Sequence, residues 1–97
     1  MAELHACTRA GMSLGYDLKK TIESVKKQDF MGTVTGLLTI TQQTGALEAC
    51  GVKLEKEHLV NAITALCPKN WDVIEDQLAA FEEDVYQKVM VPKRREG

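Results

Sequence analysis

The chain has three cysteines, and their spacing can be compared with the spacing that metal sites and thiol redox motifs require. None of Cys7, Cys50 and Cys67 belongs to a Cys-x-x-Cys pair, the spacing typical of zinc sites and thiol redox motifs. His5 and Cys7 are two residues apart on an expected helix, so they point in different directions, and His58 is isolated. We therefore expect no metal ligands. The simplest interpretation is that the cysteines are small buried hydrophobic residues.

A disulfide between Cys7 and Cys50 is the sharper hypothesis. It requires that residues 4–28 and 30–50 form an antiparallel hairpin that turns near residues 29–31. Cys7 then lies about 22 residues before the turn and Cys50 about 20 after it, or about 33 and 30 Å, so the two side chains could meet. Such a bond would contribute about 2–5 kcal/mol and would indicate an oxidising compartment. Cys67 would remain single.

The acidic residues do not form a catalytic arrangement. General acid and base catalysis needs carboxylates that converge on a cleft, whereas the acids of the last helix mostly face water at their helical spacing. The glycines do not follow strands at the spacing of a nucleophile elbow, a phosphate loop or a dinucleotide site. An acidic last helix would also repel DNA, which disfavours a helix-turn-helix over residues 55–85. We expect no catalytic residues, no cofactor and no nucleic acid partner.

Trp71, Glu82 and Glu83 are the candidate contacts for a protein partner. Trp71 is the only tryptophan and stands at the start of the last expected helix, where it is either a lid on the bundle end or a binding anchor. Glu82 and Glu83 begin a short acidic run that is either a solvated helix face or a docking surface for a basic partner.

Length and composition indicate one small soluble domain. Ninety-seven residues are too few for two separate cores. The apolar fraction of 44% and the charged fraction of 27% resemble those of folded proteins. The net charge of −2 is too small to indicate an anionic partner. No run approaches the roughly 18 apolar residues of a membrane span. We expect residues 1–91 to form the domain and residues 92–97 to be a disordered basic tail.

Apolar periodicity predicts most of the helices that would position these side chains. Residues 4–28 and 70–90 each have apolar positions every three or four residues, and a shorter helix over residues 55–67 must end before Pro68. The apolar positions are Leu4, Cys7, Gly11, Leu14, Leu18, Ile22 and Val25; then Leu59, Ala62, Ile63 and Leu66; then Trp71, Ile74, Leu78, Phe81, Val85 and Val89.

Residues 30–50 are ambiguous between helix and strand. The β-branched residues between positions 33 and 41 suit a strand, yet Val34, Leu37, Leu38, Thr41 and Leu47 can share a helical face. We prefer a helix, because a lone strand among helices would have no partner for its backbone hydrogen bonds. The resulting expectation is an all-α protein, a small up-down bundle of four helices.

The function expected from these observations is protein binding. We expect a non-enzymatic helical module that binds another protein, as an adaptor, inhibitor, antitoxin-like or immunity-like factor, and that can form a homodimer. One alternative is a ligand carrier with a cavity lined by Met12, Met31, Leu37, Leu38 and Phe81. Another is thiol or metal chemistry at the three cysteines. The chain is expected to be cytoplasmic, or periplasmic or secreted if it is a processed form with a Cys7–Cys50 disulfide.

Overall fold

Four α-helices account for most of the chain in the computed structural model, which describes the backbone of residues 2–90 and the side chains of residues 7–89. The helices are α1 (Ala2–Lys26), α2 (Phe30–Ala49), α3 (Glu57–Leu66) and α4 (Trp71–Val85). A π-helical turn, Tyr86–Met90, continues α4. No strand occurs within residues 2–90, so the expected all-α bundle is confirmed, and the segment that could have been a strand is helical. The expected tail, residues 92–97, lies outside the described part.

The two tight connections between helices are built in the same way. Gln28 and Lys69 adopt left-handed backbone conformations, with φ of 57° and 54°. Each is followed by a capping residue: Asp29 Oδ1 accepts a hydrogen bond from the backbone N–H of Gly32 at 3.1 Å, and Asn70 Oδ1 accepts one from Val73 at 3.4 Å. These caps satisfy backbone donors that a helix start leaves free and fix where α2 and α4 begin.

Contacts at the two ends of the bundle establish the up-down order. The Lys69 ammonium lies 5.3 Å from the centre of the Phe30 ring, so the α1–α2 turn and the α3–α4 turn are side by side. At the opposite end, the start of α1 meets the end of α2 at Cys7 and Cys50. Gly11 of α1 lies against Val89, so α4 runs antiparallel to α1. The molecule is elongated, with extents of 43 × 22 × 19 Å.

The apolar faces predicted for α1 and α4 form the centre of the core. Leu14 and Leu18 of α1 and Ile74, Leu78 and Phe81 of α4 are completely buried. The buried cluster contains residues of all four helices. Ile22, Trp71 and Val89 are partly buried and pack against it. In α3 the inward positions are Leu59, Ala62 and Ala65. Ile63 is exposed, so its expected place on that inward face was wrong.

The buried face of α2 differs from the expected one. Leu38 and Thr41 face solvent, Leu38 with 61% of its surface exposed, and the buried residues are Thr33, Leu37, Ile40, Thr44 and Leu47. The cause is that threonine can be buried in a helix when its hydroxyl is paired. Thr33 donates to the carbonyl of Asp29 and Thr44 to that of Ile40, each at 2.8 Å.

Candidate functional site

An open groove runs along the surface between α1 and α4. It encloses about 430 Å³ and is lined by Gly11, Met12, Gly15, Tyr16, Lys19, Glu82, Val85 and Tyr86. All but one of these residues belong to the two α-helices, and Tyr86 begins the π-helical turn. We call this surface the α1/α4 groove.

Two glycines one turn apart explain why the groove opens where it does. A Cβ atom at Gly11 would lie 2.6 Å from Cγ1 of Val89, so the two segments touch there. A Cβ atom at Gly15 would meet nothing within 4 Å. The helices therefore pack closely at Gly11 and leave a gap one turn further along α1, with Val85 buried beneath it.

The rims of the α1/α4 groove are apolar and exposed. Met12, Tyr16 and Tyr86 expose 60%, 65% and 52% of their surfaces. The Lys20 ammonium lies 5.6 Å from the centre of the Tyr16 ring, within range of a cation–π contact. A gap flanked by large apolar side chains is typical of a surface that receives side chains of another molecule.

The groove lining carries one charge of each sign, Lys19 on α1 and Glu82 on α4. The acidic residues of α4 are Asp72, Glu75, Asp76, Glu82, Glu83 and Asp84, and the helix has no lysine or arginine. Residues 14–29, the second half of α1 and the turn after it, contain four lysines and three acids, so their excess of bases is small. Among the described residues, neither Lys19 nor Glu82 has an ion-pair partner. Both charges in the groove are thus available to a bound molecule.

The three residues expected to contact a partner do not form one surface. Glu82 lines the α1/α4 groove. Glu83 is exposed on the outer side of α4 and accepts a hydrogen bond from Gln87 Nε2 at 2.9 Å. Trp71 is partly buried against the core, about three turns from Glu82 along α4. At the start of α4 it covers the end of the bundle, as expected of a lid.

Cys7 and Cys50 meet, as the hairpin estimate indicated. Their sulfurs are at disulfide-bonding distance and their Cα atoms are 6.0 Å apart. Cys67 is exposed in the α3–α4 turn, at the opposite end of the bundle, so a single site that contains all three cysteines is ruled out. The interpretation of the three cysteines as buried hydrophobic residues was wrong, since Cys50 and Cys67 are both exposed. Within the described part of the chain, no group of three or more His, Cys, Asp or Glu residues is arranged to hold a metal ion.

The five residues suggested as the lining of an internal cavity are dispersed. Leu37 and Phe81 are buried in the core, whereas Met12, Met31 and Leu38 are exposed. Met12 belongs to the α1/α4 groove, and Met31 belongs to a different groove between α1 and α2.

The groove between α1 and α2 is polar and encloses about 360 Å³. Two of its three threonine hydroxyls are engaged within their own helices: Thr21 donates to the carbonyl of Asp17 at 2.8 Å and Thr39 to that of Thr35 at 3.1 Å. Asp17 in turn accepts a hydrogen bond from Gln43 Nε2 at 2.7 Å. The Asp17–Gln43 hydrogen bond therefore joins α1 to α2, and neither the Thr21 nor the Thr39 hydroxyl is paired with a base that would activate it.

Sequence reasoning missed the α1/α4 groove, although a signal for it exists. Gly11 and Gly15 are one turn apart in a helix, where alanine has the higher intrinsic propensity, and Met12 and Tyr16 follow them directly. Glycines spaced in this way beside large apolar residues indicate a surface where a neighbouring segment can approach closely.

No helix within residues 2–90 combines the length and the apolar character that crossing a lipid bilayer requires. No protein-family model matches the chain, and no curated protein or solved structure matches it.

Proposed function

We propose that this protein is a non-enzymatic helical module that binds a polypeptide through the α1/α4 groove. The observation that carries the proposal is the combination of an empty position at Gly15 with exposed Met12, Tyr16 and Tyr86 around it. The bound polypeptide would insert an apolar or aromatic side chain into the gap and would present one acidic and one basic group, to Lys19 and Glu82.

The chemistry of the groove lining supports binding over catalysis. Glu82 is the only carboxylate that lines the groove, and the lining contains no histidine, cysteine, serine or threonine. Nucleophilic catalysis by serine, threonine or cysteine needs that residue beside an activating base, and this lining has none of the three. A polypeptide interface needs only apolar area, shape and complementary charge.

Site-directed photocrosslinking tests the proposal. Benzoylphenylalanine is placed at Met12 in the groove, with Val60 of α3 as the control, because their exposures are nearly equal, at 60% and 58%. In cells that produce the protein, we expect discrete cross-links to a polypeptide from position 12 and none from position 60. The same cross-link pattern from both positions would contradict the proposal.

A second pair of variants shows whether the cross-links depend on the groove. Gly15→Arg fills the gap, whereas Gly45→Arg places the same side chain on the exposed face of α2, where a Cβ atom also meets nothing within 4 Å. The proposal requires that Gly15→Arg removes the cross-links from position 12 and that Gly45→Arg keeps them. If Gly15→Arg keeps them, the groove is not the binding site.

We also propose that the protein functions in an oxidising compartment with Cys7 and Cys50 as a disulfide. The separation of 6.0 Å between their Cα atoms supports this, since disulfides span about 4.4–6.8 Å. Alkylation of the native protein without reductant, followed by mass spectrometry, should modify Cys67 and neither of the other two. Modification of all three cysteines would contradict the proposal.

A further inference from the structure

We infer that the polypeptide in the α1/α4 groove is a second copy of this chain, related to the first by a two-fold axis that runs along the groove. This inference rests on the proposed function and adds the identity and the orientation of the partner. It follows from where the two charges of the groove lie on antiparallel helices.

Lys19 and Glu82 lie at the same level of the groove. Gly11 and Val89 are in contact and provide a common reference point. From that contact, Lys19 lies about 12 Å along α1 and Glu82 about 10 Å back along α4, at a rise of 1.5 Å per residue. Because α1 and α4 are antiparallel, the two displacements have the same direction, so the charges stand opposite each other across the groove.

Two face-to-face arrangements would bring the groove of one copy onto that of another. In the first arrangement the two-fold axis lies in the interface plane and is perpendicular to the helices. This axis packs α1 on α1 and α4 on α4. In the second arrangement the two-fold axis lies in the same plane and is parallel to the groove. This axis packs α1 of each copy on α4 of the other. Both are closed two-fold pairings, so the charge pattern decides between them.

Only the axis along the groove matches unlike charges. It places Lys19 of each copy over Glu82 of the other and repeats this pair on both sides of the axis. Lys19, the one base of the groove lining, then faces α4, which has six acidic residues and no basic ones. The other axis sets α4 against α4, and such like-charge contacts are strongly unfavourable.

The apolar rims fit the same arrangement. Rotation about the groove axis carries Tyr16 of one copy towards Tyr86 of the other, and the second pair forms by symmetry. Both rings expose more than half of their surface in the single chain, so both can lose exposed apolar area on pairing. The gap at Gly15 leaves room for a side chain of the second copy, because no atom stands within 4 Å of a Cβ there.

Charge reversal measured by sedimentation equilibrium tests the orientation. Lys19→Glu and Glu82→Lys, made singly, each replace two attractive pairs with two repulsive ones, and we expect the dimer Kd to rise by about tenfold or more. The double variant restores the unlike pairs and should return the Kd to within about threefold of the unsubstituted protein. If the double variant is as weak as the singles, the proposed orientation is wrong.

Steric and salt controls address the location of the interface. Gly15→Arg should abolish the dimer and Gly45→Arg should leave its Kd unchanged. The unsubstituted dimer should also weaken as salt is raised, because its charge pairs are at the edge of the interface. A dimer that survives Gly15→Arg would overturn the inference.

The inference and the proposed function fail in different ways. A chain that stays monomeric at the highest concentration reached overturns the second-copy inference. If position 12 still forms cross-links to a different polypeptide, and these disappear in Gly15→Arg, the proposed function stands without it. If neither a dimer nor groove-dependent cross-links are found, both are wrong.

Discussion

Gly36 of α2 lies directly against the side chain of Thr21 of α1. A Cβ atom at position 36 would overlap the Thr21 hydroxyl, with Cβ and Cγ2 of Thr21 both 2.9 Å away. Thr21 is buried, and its hydroxyl donates to the carbonyl of Asp17, so it cannot turn away without breaking that bond. The hairpin of α1 and α2 therefore depends on the missing side chain at position 36.

Gly36→Ala should destabilise the protein although alanine favours a helix. The added methyl overpacks the α1–α2 contact at a cost of typically about 1–3 kcal/mol, which outweighs a helix-propensity gain of about 1 kcal/mol. Urea unfolding followed by circular dichroism measures the difference. Gly45→Ala is the matched control and should stabilise by about 0.5–1 kcal/mol, because its Cβ meets nothing. Equal effects of the two variants would contradict this view of the hairpin.

Thr44→Val should leave stability within about 1 kcal/mol, whereas Thr44→Ser should lower it by about 1 kcal/mol or more. Valine keeps the buried shape, and the carbonyl of Ile40 that loses the hydroxyl still belongs to the backbone of the helix. Serine keeps the hydroxyl and removes a buried methyl group, leaving a small cavity. Thermal unfolding of both variants measures the contrast. The reverse order would mean that the hydroxyl, and not the methyl group, stabilises α2.

Cys50→Ser should cost about 4 kcal/mol in the protein isolated without reductant. Cys7 and Cys50 are separated by 43 residues, and a cross-link of that length restricts the unfolded chain by about this amount in the chain-entropy description. Guanidinium unfolding with and without reductant provides the measurement. Cys67→Ser is the control, since Cys67 is exposed and free, and it should change stability by less than about 0.5 kcal/mol. A reductant effect that persists in Cys50→Ser would show that the stabilisation comes from elsewhere.

Trp71→Ala should lower stability by about 2–3 kcal/mol and should leave the cross-links of position 12 unchanged. Trp71 packs against the core and lies about three turns of α4 away from the groove. Trp71→Phe, which keeps an aromatic ring at the site, should recover most of the loss. Stability is measured by calorimetry and cross-linking is carried out on the folded variant. Normal stability combined with lost cross-links would make Trp71 a binding anchor instead of a lid.

Periodicity was sufficient for α1, α3 and α4, because their apolar residues have no other way to leave water, whereas it left α2 ambiguous between helix and strand. In α1 and α4 the spacing of three and four residues predicted the buried side, including Leu14, Leu18, Ile74 and Phe81. The meeting of Cys7 and Cys50 followed from the lengths of two helices and one turn, once the two helices were assumed to form an antiparallel hairpin. The helix lengths and the apolar faces of α1 and α4 are local properties, readable from spacing alone.

The face of α2 and the α1/α4 groove depended on tertiary structure. Threonine can face either the core or water, and only the neighbouring helices decided that Thr33 and Thr44 are buried while Leu38 is exposed. Gly11 and Gly15 look alike in the sequence, yet Val89 fills the space beside one and nothing fills it beside the other. The sequence by itself determined that α1, α3 and α4 are helices and, for an assumed hairpin, that Cys7 and Cys50 can meet, because backbone geometry sets helix length. Only the packed structure decided where a surface stays open, because a gap is defined by the atoms of distant residues around it.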